Sequence, residues 1–347
     1  MNLDELIPKN IDYERCINNI PRGREILRHI IIPNHYTLPN PVFTRSKLGD
    51  FWYSIPPPIQ NNKAKYIAAF DLDWTLTANQ YKLYPFSADP DDIVLLPDRR
   101  EILTSLVKRG YILAVFTNQK CKNAKKRLDR VTVFLKDLGL PCFTFVSTGD
   151  DNYRKPKIGM WEVFREMVGG DIKYAFYVGD AAGRPEDFSD ADIVFARDAD
   201  VQFYTPEEFF PCQSVLFTEN LIVFVGAPGT GKSYIADMYK KVGYKIISRD
   251  ELGGNKNKYL KSLEKSLAIY PHIVADATNG VEADRDVIYE MARKNNRTIK
   301  VIYLLRNGHG RNKLRNKPVP DVAYHIYYNN VTPPTGDNVQ VVTDPCI

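Results

Sequence analysis

With 347 residues, 44% of them apolar and 26% charged, the chain is long enough for two soluble domains, and no apolar run approaches the ~20 residues that span a bilayer. Its net charge of +5 permits an anionic partner without requiring one. Five cysteines (Cys16, Cys121, Cys142, Cys212, Cys346) are scattered and never paired as CxxC, and "MNLDELIPKN" carries acids where a secretory leader has basic residues, so structural zinc and export are disfavoured. A reducing intracellular compartment, nucleus or cytoplasm, is expected.

Residues 1–60 are rich in Pro and Asn and lack sustained periodicity; "PNHYTLPNP" and "SIPPPIQNN" read as loops. From residue 65 strands and helices alternate. "KYIAAF" reads as a buried strand, "RREILTSLVKRG" as a helix with a glycine stop, and "YILAVF" as the next strand. "KNAKKRLDRVTVFLKDLG" then reads as an amphipathic helix, "PCFTFVST" as a strand, "KIGMWEVFREMVGG" as a helix and "YAFYVGD" as a strand. Short all-apolar strands separated by helices predict a parallel sheet covered on both faces. "YTPEEFFPCQS" reads as a closing helix and linker. The pattern restarts at "NLIVFVGAPGTGKSYIADMYKKVG" and continues through "YKIISRDEL", "HIVADATN", the helix "EADRDVIYEMARKN" and the strand "TIKVIYLL". The expected organisation is an extension of unknown role over 1–45, one α/β domain over 46–214 and a second over 215–347.

In a parallel α/β sheet, ligands bind at the carboxyl ends of the strands. In the first domain those ends carry Asp71 and Asp73, then Thr117 and Asn118, then Lys155 after a loop, then Gly179 and Asp180. A carboxylate takes a phosphoryl group when a metal and a cation neutralise the phosphate oxygens it approaches. Asp71 is expected to attack, Asp73 to protonate the leaving oxygen and later activate water, and Thr117 and Lys155 to hold the phosphate. Asp71, the backbone carbonyl of Asp73, and Asp180 are the expected oxygen ligands of Mg²⁺. Acids at a strand end also serve as simple caps, but a hydroxyl, a lysine and an acid in order on later strands argue for chemistry. This ordered set resembles the haloacid dehalogenase phosphatase superfamily over about residues 65–210.

"GAPGTGKS", residues 226–233, matches GxxxxGK[ST] between a buried strand and a helix. Gly226, Gly229 and Gly231 let the backbone curl so that its N–H groups face phosphates; Lys232 reaches the terminal phosphates and Ser233 the Mg²⁺ of bound ATP. Asp250, just past the next strand, is read either as a helix cap or as the general base for an acceptor hydroxyl. In "HGRNKLRNKPVPD", Arg311 and Arg315 are four apart, so a helix sets them on one face as a phosphate clamp or, alternatively, as a solvated basic face. The run lies after the last expected strand.

Together the two halves resemble the polynucleotide kinase/phosphatase family. "FDLDWTL", "VFTNQ", "RKPKIGMW", "VGDAAGRPEDFSDAD" and "TPEEFF" carry the phosphatase resemblance; "VGAPGTGKS", "ISRDELG" and "DATN" carry that of the kinase. The lid "RNKLRNKPVP" is closer to phage kinases than to animal ones, while the phosphatase-first order is that of animal members. The resemblance implies a Rossmann-like phosphatase followed by a P-loop kinase, with Mg²⁺ and ATP as cofactors. It implies removal of 3′-phosphates and phosphorylation of 5′-hydroxyls on DNA or RNA ends, a ligase or repair partner in the same pathway, no membrane and a monomer. Asp71 becomes the nucleophile, Asp73 the acid/base, Asp180 a metal ligand, Asp250 the acceptor base, and Arg311 and Arg315 the lid arginines. Arg184 and Arg285 are further expected substrate contacts, Arg285 to the acceptor phosphate. Trp74 stands where the family usually has glycine, and is read as packing beside the loop or as a wall that stacks on a terminal base. The animal members' phosphopeptide-binding module has no counterpart in the roughly 50 residues before the match. A small-molecule phosphatase fused to a metabolite kinase, and an inactive end-binding scaffold, remain as alternatives.

Overall fold

The computed structural model describes residues 40–57, 64–79, 89–96, 98–120, 123–185, 187–210, 215–312, 315 and 318–343. Most of the expected 1–45 extension, and every cysteine but the buried, free Cys142, lie outside them. The described residues fall into two compact units, one ending at Phe210 and the other beginning at Val215. No helix among them is long and apolar enough to cross a membrane.

In the first unit, strands β1 (Thr44–Arg45), β2 (Phe51–Ser54), β3 (Ala64–Phe70), β6 (Tyr111–Asn118), β7 (Cys142–Ser147), β8 (Asp171–Val178) and β9 (Gln202–Tyr204) form one sheet in the order β1-β2-β7-β6-β3-β8-β9. The five from β7 to β9 are parallel, while β1 and β2 run antiparallel at one edge. Between β3 and β6, β4 (Thr77–Asn79) and β5 (Ile93–Leu95) make a separate antiparallel pair just past the acids. The sequence reading expects loop where β1 and β2 lie. "FWYS" is too short for a period to show, and its partner Phe145 comes from far along the chain.

Side-chain alternation in β3 and β6 splits the core between two faces, because successive residues of a strand point to opposite sides. Ala68, Phe70, Leu113 and Val115 pack against helices α1 (Arg99–Lys108) and α2 (Ala124–Leu138). Ile67, Ala69, Ala114 and Phe116 pack against α3 (Gly159–Val168) and α4 (Ala191–Asp198). Both faces are buried, which is why these strands read as unbroken apolar runs. The unit closes on α5 (Pro206–Phe209), started by a reciprocal cap between Thr205 and Glu208. After β3 the chain adds β6 and β7 on one side and then β8 and β9 on the other. The order reverses beside β3, the position at which open α/β sheets bind ligands.

In the second unit, β10 (Leu221–Val225), β11 (Lys245–Ser248), β12 (Ile273–Asp276), β13 (Ile299–Leu304) and β14 (Val339–Val342) form an all-parallel sheet in the order β11-β12-β10-β13-β14. Helices α6 (Lys232–Lys241), α7 (Lys256–Ile269), α8 (Glu282–Lys294), α9 (Gly308–Asn312) and α10 (Asp321–Asn330) connect them. The arginine run therefore precedes the last strand rather than following it: "VQVV" is another segment too short to announce itself, and β13 recruits it by pairing. The helix expected to hold both Arg311 and Arg315 ends at Asn312, six residues before Pro318. Prolines at 318 and 320 oppose its continuation.

Candidate functional site

Asp71 emerges at the end of β3, its N–H donating to Val178 O of β8 at 2.8 Å. Lys155 reaches it from the loop after β7. Its Nζ donates to Asp71 Oδ1 at 2.5 Å, to Asp192 Oδ1 at 2.7 Å and to the Tyr177 hydroxyl at 2.8 Å. The Asn118 amide clamps the Lys155 backbone from both sides, accepting from its N–H at 3.0 Å and donating to its carbonyl at 2.9 Å. Carboxylate oxygens of Asp71, Asp180 and Asp192 lie within 4.8 Å of one another. Burial, then the Asp192 and Asp73 charges, push Asp71 up to about 7 against the pull of Lys155. Burial and the Asp71 charge likewise hold Asp180 well above the carboxylate range. Burial opposes the charge of Lys155, but Asp192 and Asp71 outweigh it and hold the ammonium above its ordinary value. Three carboxylates beside a single lysine leave excess negative charge. That donor set, all hard oxygen, fits a divalent cation such as Mg²⁺.

Asp192 is absent from the sequence reading, although "DFSDAD" contains it. The signal that finds it is Gly179: a Cβ there would lie 2.5 Å from Asp192 Cγ, so glycine lets Asp192 stand against the end of β8. The Asp192 Oδ2 also accepts from the Ala181 N–H at 3.0 Å.

Asp73 turns away from this cluster. Arg130 Nη2 pairs with its Oδ1 at 2.6 Å, and Gln119 Nε2 donates to its Oδ2 at 2.6 Å. The same amide donates to Thr117 Oγ1 at 2.8 Å, which ties the expected phosphate-holding hydroxyl to the expected acid. Burial favours the neutral acid, but Arg130 and the Gln119 hydrogen bond prevail and hold Asp73 below its ordinary value. With its side chain so placed, any share of Asp73 in a cation site falls to its backbone carbonyl. Gln119, Arg127 and Arg130 were not picked out in the sequence. Two arginines three apart in "RLDRVTVF" alternate with the helix's apolar residues, a position at odds with a solvent-facing stripe.

Trp74 has φ 63°, in the left-handed region that favours glycine, and its N–H donates to Thr77 O at 2.7 Å to close the turn into β4. Arg184, expected on substrate, is held among acids: Asp187 at 2.9 Å, Glu207 at 3.2 Å, and the Asp180 carbonyl at 3.3 Å. It buttresses the loop that presents Asp180.

In the second unit the loop from Gly226 to Gly231 leads from β10 into α6, with Gly229 and Gly231 at positive φ. Lys232 folds back on the loop, its Nζ donating to the carbonyls of Gly226 at 2.9 Å and Ala227 at 2.6 Å. Burial lowers its pKa to about 8. A cleft of about 480 Å³ is lined by Gly229, Gly231, Lys232, Ser233, Asp250, Asp276, Arg311 and Arg315, so the two arginines reach one cleft without sharing a helix. Ser233 Oγ donates to Asp276 Oδ2 at 3.3 Å. Asp276, at the end of β12, is another residue absent from the sequence reading, and its carboxylate–hydroxyl pair with Ser233 is again suited to Mg²⁺.

Arg285 differs from expectation. It is buried, and its guanidinium donates to the carbonyls of Asn279 at 3.0 Å, Gly280 at 2.8 Å and Thr332 at 2.8 Å. Those backbone acceptors fix the loop after β12 to the segment after α10 and leave the side chain out of the cleft.

Residues 66–210 match the family model described as polynucleotide kinase 3 phosphatase. The bifunctional polynucleotide phosphatase/kinase of Schizosaccharomyces pombe is 28% identical over 333 residues, covering 82% of this chain and 81% of that relative. The polynucleotide 3′-phosphatase ZDP of Arabidopsis thaliana is 37% identical over 172 residues, 43% of this chain and 24% of that one. An uncharacterized 20.8 kDa protein of Autographa californica nuclear polyhedrosis virus is 43% identical over 160 residues, 42% of this chain and 86% of that one.

Proposed function

This chain belongs to the polynucleotide kinase 3 phosphatase family, and on that premise we propose that it processes nucleic-acid ends with two activities, removing 3′-phosphates in its first unit and phosphorylating 5′-hydroxyls in its second. The observation that supports the reading most is the convergence of Asp71, Asp180, Asp192 and Lys155 at the strand ends of the region that matches the family.

For the phosphatase, Asp71 Oδ attacks the phosphorus, the P–O3′ bond breaks, and the leaving oxygen takes a proton from Asp73. Water then attacks the aspartyl phosphate, gives its proton back to Asp73, and releases Asp71 and inorganic phosphate. Lys155 orients Asp71 and neutralises the incoming phosphate, and Thr117 offers it a hydroxyl. Mg²⁺ held by Asp71, Asp180 and the Asp73 carbonyl would supply charge neutralisation. In the second unit, the loop amides and Lys232 hold the ATP phosphates, while Asp250 accepts the proton of a 5′-hydroxyl and Arg311 and Arg315 stabilise the transferring group. A neighbouring hollow of about 410 Å³ shares Pro228, Arg249 and Thr278 with the ATP cleft and offers the acceptor end a seat. The product, a 5′-phosphate beside a 3′-hydroxyl, is what a ligase consumes. A reducing compartment is the proposed setting, a reading that the scattered cysteines favour.

The test is an oligonucleotide with 5′-hydroxyl and 3′-phosphate ends incubated with Mg²⁺ and ATP. Asp71→Ala is expected to abolish only 3′-phosphate loss, and Lys232→Ala only 5′-phosphorylation. Turnover of mononucleotides with none of oligonucleotides would favour a metabolite phosphatase–kinase instead.

A further inference from the structure

Tyr234 follows directly on Ser233 in the first turn of α6, and it is 59% exposed. Other tyrosines of the second unit, Tyr239, Tyr244, Tyr259 and Tyr324, are buried in the core. Tyr234 instead lines the cleft of about 480 Å³ with Gly231, Lys232 and Ser233. Among the described residues, no hydrogen bond, ion pair or ring contact engages its side chain. A lone aromatic ring on an open surface needs no explanation, but this ring stands in a cleft beside a phosphate loop. Local stability does not account for it either. Tyrosine is only a middling helix former, because its ring loses χ1 freedom against the preceding turn, and here it buries little in return.

We propose that Tyr234 is the platform on which the base of the donor nucleotide lies, ring face against base face. The inference rests on the reading of the loop as an ATP site. In such a loop the lysine reaches the β- and γ-phosphates, and backbone N–H groups cradle the α- and β-phosphates. The nucleoside hangs from the α-phosphate, at the end of the triphosphate opposite the transferred group. Next in the chain after the lysine and the metal-binding serine comes Tyr234, whose ring is rigid about two χ angles and loses little entropy on contact. Every base has a π face, so a ring selects by stacking area and not by hydrogen-bond pattern. The donor site is therefore tolerant of base identity and graded by base size, with ATP and GTP alike and pyrimidine triphosphates weaker.

The test is isothermal titration of the full chain, in Mg²⁺, with the β,γ-imido analogues of ATP, GTP and UTP and with inorganic tripolyphosphate, which has no base. Tyr234→Ala is expected to raise the Kd of the ATP analogue about tenfold and that of tripolyphosphate less than about twofold. In the wild type the ATP and GTP analogues are expected to bind within about twofold of each other and about threefold or more tighter than the UTP analogue. That spread is expected to shrink below about 1.5-fold in Tyr234→Ala. Tyr234→Phe, which keeps the ring and loses only the hydroxyl, is expected to stay within about twofold of wild type on every ligand. Where Tyr234→Ala does not fold by near-ultraviolet circular dichroism, Tyr234→Leu, a good helix former without a π face, is expected to give the same split. Equal weakening of the ATP analogue and tripolyphosphate would assign Tyr234 to the loop itself. A loss in Tyr234→Phe as large as in Tyr234→Ala would assign the contact to the hydroxyl, and an unchanged Kd in Tyr234→Ala would put the base elsewhere. Each of these three overturns the proposal. A wild-type protein that binds the ATP analogue but phosphorylates no 5′-hydroxyl with ATP would overturn the kinase reading alone, and the comparison of ligands would still decide the platform.

Discussion

At Trp74 the backbone takes a conformation that costs a residue with a Cβ about 1 kcal/mol, and the partial burial of the indole acts against that cost. Trp74→Gly therefore trades one against the other. It is expected to change unfolding free energy in urea by less than about 1 kcal/mol, where a packed tryptophan on regular backbone loses roughly 3–5. A loss above about 2 kcal/mol would show that packing dominates. Asp71 supports a different prediction. Its carboxyl, ordinarily near 3.8, is raised by burial to about 7 in the folded protein. For this group, metal-free stability is fully present below the unfolded value and is lost as pH rises through about 7. A cation that displaces the proton restores that loss, so the rise in melting temperature on adding Mg²⁺ should be about 4 °C or more near pH 8 and under about 1 °C near pH 5.5. An equal rise at both values would separate cation binding from Asp71. Both side chains were legible in the sequence as part of DxDxT, but neither the strain at one nor the raised pKa of the other was. Backbone angle and burial are set by neighbours that come later in the chain.

The elements follow the sequence where they are long and apolar. Strands β3, β6, β7, β8 and β10 and helices α1 to α3 lie where their patterns put them, because burying both faces of a parallel sheet leaves a continuous apolar signature. Strands β1, β2 and β14, at or next to a sheet edge, carry no such signature and form by pairing with a neighbour. The short helix α9 illustrates a contact between elements that no local pattern reveals. A Cβ on Gly308 would overlap the Pro228 carbonyl and lie 3.0 Å from Gly229 C and Thr230 N, so the root of the arginine segment rests directly on the phosphate loop. Gly308→Ala must push the two apart. It is expected to raise the KM for ATP about tenfold or more while leaving 3′-phosphatase rates within about twofold. An unchanged KM would show that the loop tolerates the shift.

On the scale of the molecule, two sheets with separate cores hold two separate sets of reactive groups. Damage to one set is therefore expected to stay local. In the oligonucleotide assay, Asp71→Ala should leave 5′-phosphorylation within about twofold, and Lys232→Ala should do the same for 3′-phosphate loss. Loss of both activities from either change would mean that the two sites depend on each other. The sequence by itself determined the two-unit α/β plan and the order of the units, and it singled out the residues proposed to meet the phosphate: Asp71, Thr117, Lys155, Asp180 and the loop from Gly226 to Ser233. These lie at strand ends or in a contiguous motif, where local pattern and position coincide. Only the tertiary structure decided that Asp192 completes the carboxylate cluster and that Arg130 and Gln119 hold Asp73. It also decided that Arg285 braces backbone carbonyls and that Arg311 and Arg315 share a cleft. Those outcomes depend on which helix face meets which strand end, and on burial stripping water from charges until each finds a partner. Neither is written in residue spacing.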